Sequence, residues 1–355
     1  MCIISRNDIF IVPAFFNARY LRSYNLLEIK NYGPYIGEAD YHERLNSEVR
    51  PYLKARREDG DMISYDGGNL HYVYVKADEE KAAVTVFHGK GEFFEKLEEL
   101  VYVMVKNGFS VFMLEQRGFG RSMRLTEDKD KIHVDSFDDY VRDQWDFFWQ
   151  VVMKKAKSDV KLMFAHSMGG MVGARFLEVH PQCYRAAILS SPMIGLHMKQ
   201  PEFVVSALTG LAHLFKNDEK FAPGQHGYQP YQWNQKVMKS KARFDEMFTL
   251  REENEEFQTT GVSYGWIRES RFMTNDILNN AEKACVPILL CQAMQDETVS
   301  NEMQHVFASF APNVMMVQFP EAGHEIYAAG DDERGMFFDW IISFYNEVLE
   351  GLRRE

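Results

Sequence analysis

Cysteine is scarce in this chain, and its four copies, Cys2, Cys183, Cys285 and Cys291, are scattered. None forms a C-x-x-C pair or stands near histidines at metal-ligand spacing, which excludes a disulfide framework and a zinc site. Positive charge is also short: 40 Lys and Arg face 52 Asp and Glu, for a formal net charge of -12. That sign argues against nucleic acid as a partner and against electrostatic docking on acidic lipid surfaces, so any membrane contact must be apolar. Long hydrophobic runs are missing as well. No stretch approaches the ~20 apolar residues of a membrane-spanning helix, and the longest early one, residues 9–16, is interrupted by Pro13. The N-terminus, Met-Cys-Ile-Ile, has no basic segment followed by an apolar region and a small-residue cleavage site. This predicts a cytoplasmic protein, at most peripheral to a membrane.

What is present is apolar bulk: 46% hydrophobic residues over 355 positions, enough for one large domain carrying an insertion. The 27 Phe and 17 Tyr fit a lipid cavity and equally a well-filled core.

Residues 1–60 mix charge and aromatics without a clean period and read as an extension packed across a main domain. From Asp61 the pattern changes. Residues 61–64 and 70–75 flank Asp66-Gly67-Gly68-Asn69, a hairpin signature. Short apolar runs at 82–87, 111–114, 161–164 and 186–189 follow, each separated by room for a helix, and runs at 288–291 and 315–319 complete the series. Helical spacing at 94–107, closed by Gly108, and at 137–157 supplies crossovers, and 334–349 reads as a C-terminal helix. This alternation predicts an α/β fold with a mostly parallel, doubly wound sheet. It lapses between Pro192 and Lys283, so the expected organisation is an extension (1–60), a core in two parts (61–194 and 283–355) and an inserted, largely helical cap (195–282). Within the cap, residues 203–215 are mostly apolar, suited to lining a substrate mouth, touching lipid, or packing inside the cap.

The central motif is Leu162-Met163-Phe164-Ala165-His166-Ser167-Met168-Gly169-Gly170: a strand run, a small-x-Ser-x-Gly turn, then a helix. A serine on such a turn projects from the carboxyl end of the sheet, and its neighbours at two positions either side must be small, as Ala165 and Gly169 are. A serine is a poor nucleophile without a histidine base and a carboxylate behind it. In the order serine, acid, histidine, Asp296 follows the run at 288–291 and His324 follows that at 315–319. Glu297 and Glu321 are rival carboxylates close by; His166 should point away across the turn, and His305 lies in a helical run. The expected oxyanion donors are the Met168 N–H, at a helix N-terminus, and the Lys90 N–H in His88-Gly89-Lys90-Gly91, where the glycines free the backbone. A phosphate-cradling reading of that turn lacks the following Gly-Lys-Ser/Thr.

With His-Gly at 88–89, Glu-Gln-Arg-Gly-Phe-Gly-Arg-Ser at 115–122, Ala-His-Ser-Met-Gly-Gly at 165–170 and Gly-His-Glu at 323–325, the sequence resembles the bacterial lysophospholipase and monoacylglycerol lipase family of α/β-hydrolases. The segment 261–270 and the run Phe137-Asp138-Asp139-Tyr140-Val141 are similar to the lysophospholipase branch. The resemblance implies a triad of Ser167, Asp296 and His324, oxyanion donors at Met168 and Lys90, and a single-chain lipid ester, lysophospholipid or monoacylglycerol, cleaved through an acyl-enzyme without metal or organic cofactor. It suggests Phe203, Leu208, Leu211, Tyr264 and Trp266 as acyl-chain contacts, which burial within the cap explains equally well. Ala165 replaces the family's usual first glycine, Glu115 stands where Asp is common, and Lys90 exceeds the small residue of monoacylglycerol lipases; its ammonium is either solvated or within reach of a phosphate or fatty carboxylate. An acyltransferase, a short-chain esterase or peptidase, and a non-catalytic binding homologue are the alternatives.

Overall fold

The computed structural model describes residues 11–12, 27–197 and 200–354. Most of the run at 9–16 and the rest of the first 26 residues lie outside the described residues. Eleven short strands run along the described chain: β1 (Ile11–Val12), β2 (Arg57–Ile63), β3 (Asn69–Val75), β4 (Ala82–Phe87), β5 (Phe109–Leu114), β6 (Lys131–Ile132), β7 (Lys161–His166), β8 (Ala186–Ser190), β9 (Gly261–Val262), β10 (Ile288–Ala293) and β11 (Val314–Phe319). Nine form one sheet in the order β1-β11-β10-β8-β7-β4-β5-β3-β2. It is parallel from β5 through β4, β7, β8 and β10 to β11, while β1, β3 and β2 pair antiparallel at its edges. Every residue of β4, β5, β7, β8 and β10 is buried. Continuous apolar runs are what a parallel strand covered on both faces requires.

The two faces carry separate core layers. The helices Glu98–Lys106 and Asp331–Arg354 cover one, and Phe137–Phe147, Met168–Val179 and Asn301–Phe310 cover the other. The expected helix at 137–157 runs through a π turn at Phe148–Val152 before Met153–Lys155.

Two features differ from the sequence reading. The first strand of the hairpin begins at Arg57, so the division at 60/61 runs through it. Arg57-Glu58-Asp59-Gly60 has no apolar alternation because β2 is an edge strand, where charged side chains blunt further pairing. The segment read as aperiodic also contains a helix, built from Tyr41–Arg44, a π turn at Leu45–Val49 and Arg50–Lys54. Its buried residues, Tyr41, Leu45, Val49 and Leu53, recur every fourth position. At ~3.6 residues per turn such a stripe would wind around an α-helix; the π turn, with its extra residue, brings it back to one face. Burying each of these side chains contributes about 2 kcal/mol.

Between β8 and β10 the inserted segment forms three helices, Glu202–Leu214, Lys241–Glu253 and Tyr264–Asn280. It is stitched to the core by the β6–β9 ladder and by backbone bonds from Thr260 N–H to Asp130 O and Ser263 N–H to Ile132 O, both 2.9 Å.

Candidate active site

β7 ends at His166 and the next helix begins at Met168, leaving Ser167 alone on the turn with φ 53° and ψ -117°. A non-glycine residue there is strained, and the surroundings hold it: the Ser167 N–H donates to Ser190 O at 3.1 Å and its carbonyl accepts from Met193 N–H at 2.8 Å. The small neighbours are dictated by close approach. A Cβ on Gly169 would lie 2.0 Å from the carbonyl oxygen of Phe87, and one on Gly170 2.6 Å from the Pro192 Cβ.

The loops after β10 and β11 bring Asp296 and His324 to this serine. The His324 Nε2 lies 2.8 Å from Ser167 Oγ, and its Nδ1 lies 2.6 Å from Asp296 Oδ2. With Nδ1–H donating to the carboxylate, Nε2 is left to accept the hydroxyl proton. Asp296 is pinned in turn, since its Oδ1 accepts the Thr298 N–H at 2.7 Å and the Val299 N–H at 3.2 Å, and its side chain is fully covered. The rival carboxylates are engaged elsewhere, Glu297 with Lys236 at 3.6 Å and Glu321 with Gln295 at 2.8 Å. The histidine loop lies backbone to backbone on the insertion: His324 N–H donates to Lys236 O and Glu325 N–H to Val237 O. Gly323 permits that approach, because a Cβ there would stand 2.8 Å from both Gln235 O and Lys236 O.

The turn after β4 lies beside the serine turn. His88 works as a neutral clasp: its Nδ1–H donates to Gly89 O and its Nε2 accepts the Gln116 N–H, both at 2.8 Å, and burial lowers its pKa. Gly91 has φ 68°, and Arg251 Nη2 donates to its carbonyl at 2.6 Å. Among the described residues none accepts the Lys90 N–H. The Met168 N–H, first in its helix, has no acceptor within it. The Lys90 ammonium donates to Thr260 O at 3.2 Å.

Sequence reasoning missed a buried polar cluster around these turns. Glu92 accepts from Gly89 N–H and from the Tyr327 hydroxyl, both at 2.5 Å, and pairs with His166 Nδ1 at 3.0 Å. Lys96 joins it to Glu325, 2.6 Å away. The serine's predecessor, the histidine's successor and the β4 turn thus share one network. Burial resists the charge on Glu92, but His166 and Lys96 hold its carboxyl well below the ordinary range; burial likewise opposes the His166 charge, and Glu92 prevails and raises its pKa. As expected, His166 faces away to this cluster, although its ring lies 5.1 Å from that of His324. The only signal in the sequence was adjacency to Ser167 and His324.

The 115–122 motif is scaffolding. Arg117 forks onto Asp143 at 2.6 and 2.8 Å, and Glu115 accepts the Arg121 N–H at 2.6 Å, packed so closely that a Cβ on Gly120 would stand 2.3 Å from its carboxylate. The five suggested acyl contacts do not form one lining. Trp266 is buried in the core against Phe137, Tyr264 is half-buried at a helix start, and Phe203, Leu208 and Leu211 are exposed on the helix Glu202–Leu214. Among the described residues no group of three or more His, Cys, Asp or Glu is arranged to hold a metal ion.

A family model described as serine aminopeptidase, S33, matches residues 78–331. Lysophospholipase L2 of Escherichia coli (strain K12) is 27% identical over 301 residues, 82% of this chain and 88% of that protein. A probable lysophospholipase L2 of Haemophilus influenzae is 25% identical over 324 residues, 88% of this chain and 99% of that protein. The solved structure of a soluble variant of Saccharomyces cerevisiae monoglyceride lipase with a substrate analog superposes with a TM-score of 0.68 at 18% identity, covering 82% of this chain and 96% of that one. The likeness in structure shows the α/β-hydrolase fold.

Proposed function

This chain belongs to the serine aminopeptidase S33 family, and from that premise we propose that it is a serine hydrolase cleaving the fatty acyl ester of a single-chain lipid, a lysophospholipid or a monoacylglycerol. The observation that carries the reading is the relay from Ser167 through His324 to Asp296. The lysophospholipase L2 relatives and the monoglyceride lipase neighbour support the substrate class.

In this reading Ser167 Oγ attacks the ester carbonyl while His324 Nε2 takes its proton, and Asp296 stabilises the imidazolium. The carbonyl oxygen, now an anion, is met by the Met168 and Lys90 N–H groups; one such donor is worth about 10²–10³ in rate. His324 returns the proton to the departing glycerol oxygen, and water repeats the sequence on the acyl-enzyme. Residues 195–282 act as the cap. Its segments grip the site's loops at 235–237, at Arg251 and at Thr260. The cap also makes a peripheral apolar contact with the lipid surface. Phe203, Leu211, Leu214 and Phe215, exposed by 52–75% on one helix and its end, are the support for that contact.

Rates on esters of one alcohol with increasing acyl length test the substrate class. The expected kcat/KM rises with chain length by about tenfold or more for every two methylenes buried. A preference for the two-carbon ester would contradict a lipid substrate.

A further inference from the structure

Four arginines are buried, and three of them have carboxylate partners: Arg117 with Asp143, Arg243 with Glu99 and Arg334 with Asp331. Arg251 is the exception. Its Nη2 and Nη1 donate to neutral oxygens, Gly91 O at 2.6 Å and the Tyr231 hydroxyl at 2.9 Å, and its Nε has no partner. Lys90, exposed on the turn after β4, likewise has no carboxylate partner, only the Thr260 carbonyl, 3.2 Å from its ammonium. Among the described residues neither cation forms an ion pair, whereas nearby Lys96 has both Glu325 and Glu92. The buried hydroxyls of Thr259 and Thr260, flanking the same place, also lack partners. In a chain of net charge -12, two cations without a carboxylate beside one turn are not a by-product of basic composition.

We propose that Lys90 and Arg251 form a subsite for the phosphate of a glycerophospholipid headgroup, beside the ester-cleaving serine. The inference rests on the reading of this chain as a lipid ester hydrolase and selects the lysophospholipid over the neutral monoacylglycerol. An unpaired buried guanidinium is costly, and an anion beside it is favoured by both charges and by the fork of the guanidinium. Reach agrees as well. The Lys90 side chain runs as many bonds from its backbone nitrogen to its ammonium as a 1-acyl glycerophospholipid runs from its ester carbonyl carbon to phosphorus. With the carbonyl oxygen at the Lys90 N–H, the phosphate therefore falls within range of the Lys90 ammonium. A peptide's N-terminal ammonium would add a third cation to the same place.

The test is calorimetric binding of glycerophosphoethanolamine, glycerol and inorganic phosphate to the full chain, its Lys90→Met variant and its Lys90→Arg variant. Saturable binding of glycerophosphoethanolamine is expected, weakened about tenfold or more in Lys90→Met, the factor a charge-assisted hydrogen bond carries, and restored in Lys90→Arg. The ratio of kcat/KM for a 1-acyl glycerophosphoethanolamine over the monoacylglycerol of the same chain should fall by a similar factor in Lys90→Met. Glycerophosphoethanolamine binding no tighter than glycerol, or indifferent to Lys90→Met, would overturn the subsite. Inorganic phosphate binding as tightly as glycerophosphoethanolamine would overturn the headgroup assignment. If neither ester is turned over by the unmodified chain, it is the hydrolase reading that fails, while the binding arm still decides the subsite.

Discussion

The positions around Ser167 divide by how their roles are set. Ser167, Asp296 and His324 follow strand ends in short loops, so local pattern and chain order made them legible. Gly169 was legible for the same reason, its place two residues after the serine. Glu92, Lys96 and Tyr327 were not, because a buried charge draws its meaning from partners hundreds of positions away, such as Glu325 for Lys96. Glu178 is a further case, on the helix that begins after Ser167. Burial raises its carboxyl to about 8 from an ordinary 4.5, against the opposing pull of Arg175, 3.1 Å away, and one of its oxygens has no donor. Between those two values the folded protein holds a proton that the unfolded chain has released, so stability falls as pH rises from about 4.5 to 8. Glu178→Gln should remove that fall. Its melting temperature is expected to exceed that of the parent by about 2 °C or more at pH 8.5 and to match it near pH 4; equal melting curves at both pH values would refute the assignment.

At the scale of elements, the parallel strands could be read directly, because burial on both faces demands unbroken apolar runs. β2 could not, since an edge strand is free to be Arg-Glu-Asp-Gly. The helix across 41–54 was hidden by the charged and polar residues between its buried positions, and its four-residue repeat stays on one face through a π turn. Exposure of the cap helix was equally out of reach: apolar residues at helical spacing look the same whether they face a core or water. That exposed face is where membrane contact is expected. Leu214 and Phe215 are 72% and 68% exposed, and each would contribute about 1.5–3 kcal/mol if buried in lipid. The double variant Leu214→Ser, Phe215→Ser should bind neutral phosphatidylcholine vesicles at least tenfold more weakly in co-sedimentation. Unchanged binding would place the contact elsewhere.

For the whole molecule, the alternation of strands and helices pointed to the doubly wound sheet, while the way the parts are locked together emerges only in three dimensions. Arg243, from the insertion, forks onto Glu99 at 2.7 and 2.9 Å and donates to Ile36 O at 3.1 Å. Arg50 bridges Glu98 and Glu246 at 2.9 and 2.7 Å. The segment 27–54, the sheet-covering helix Glu98–Lys106 and the cap helix Lys241–Glu253 are therefore tied by buried and half-buried charge. These contacts hold the inserted segment against the core. The central claim is that this assembly activates one serine, Ser167, for attack on an acyl ester. Intact-mass measurement after incubation with a fluorophosphonate probe tests it most directly. A single adduct is predicted, mapped to Ser167, concurrent with loss of long-chain ester turnover, and absent from a Ser167→Ala variant that keeps the parent's circular dichroism spectrum. Labelling of that variant to the same extent, or full turnover by it, would contradict the account.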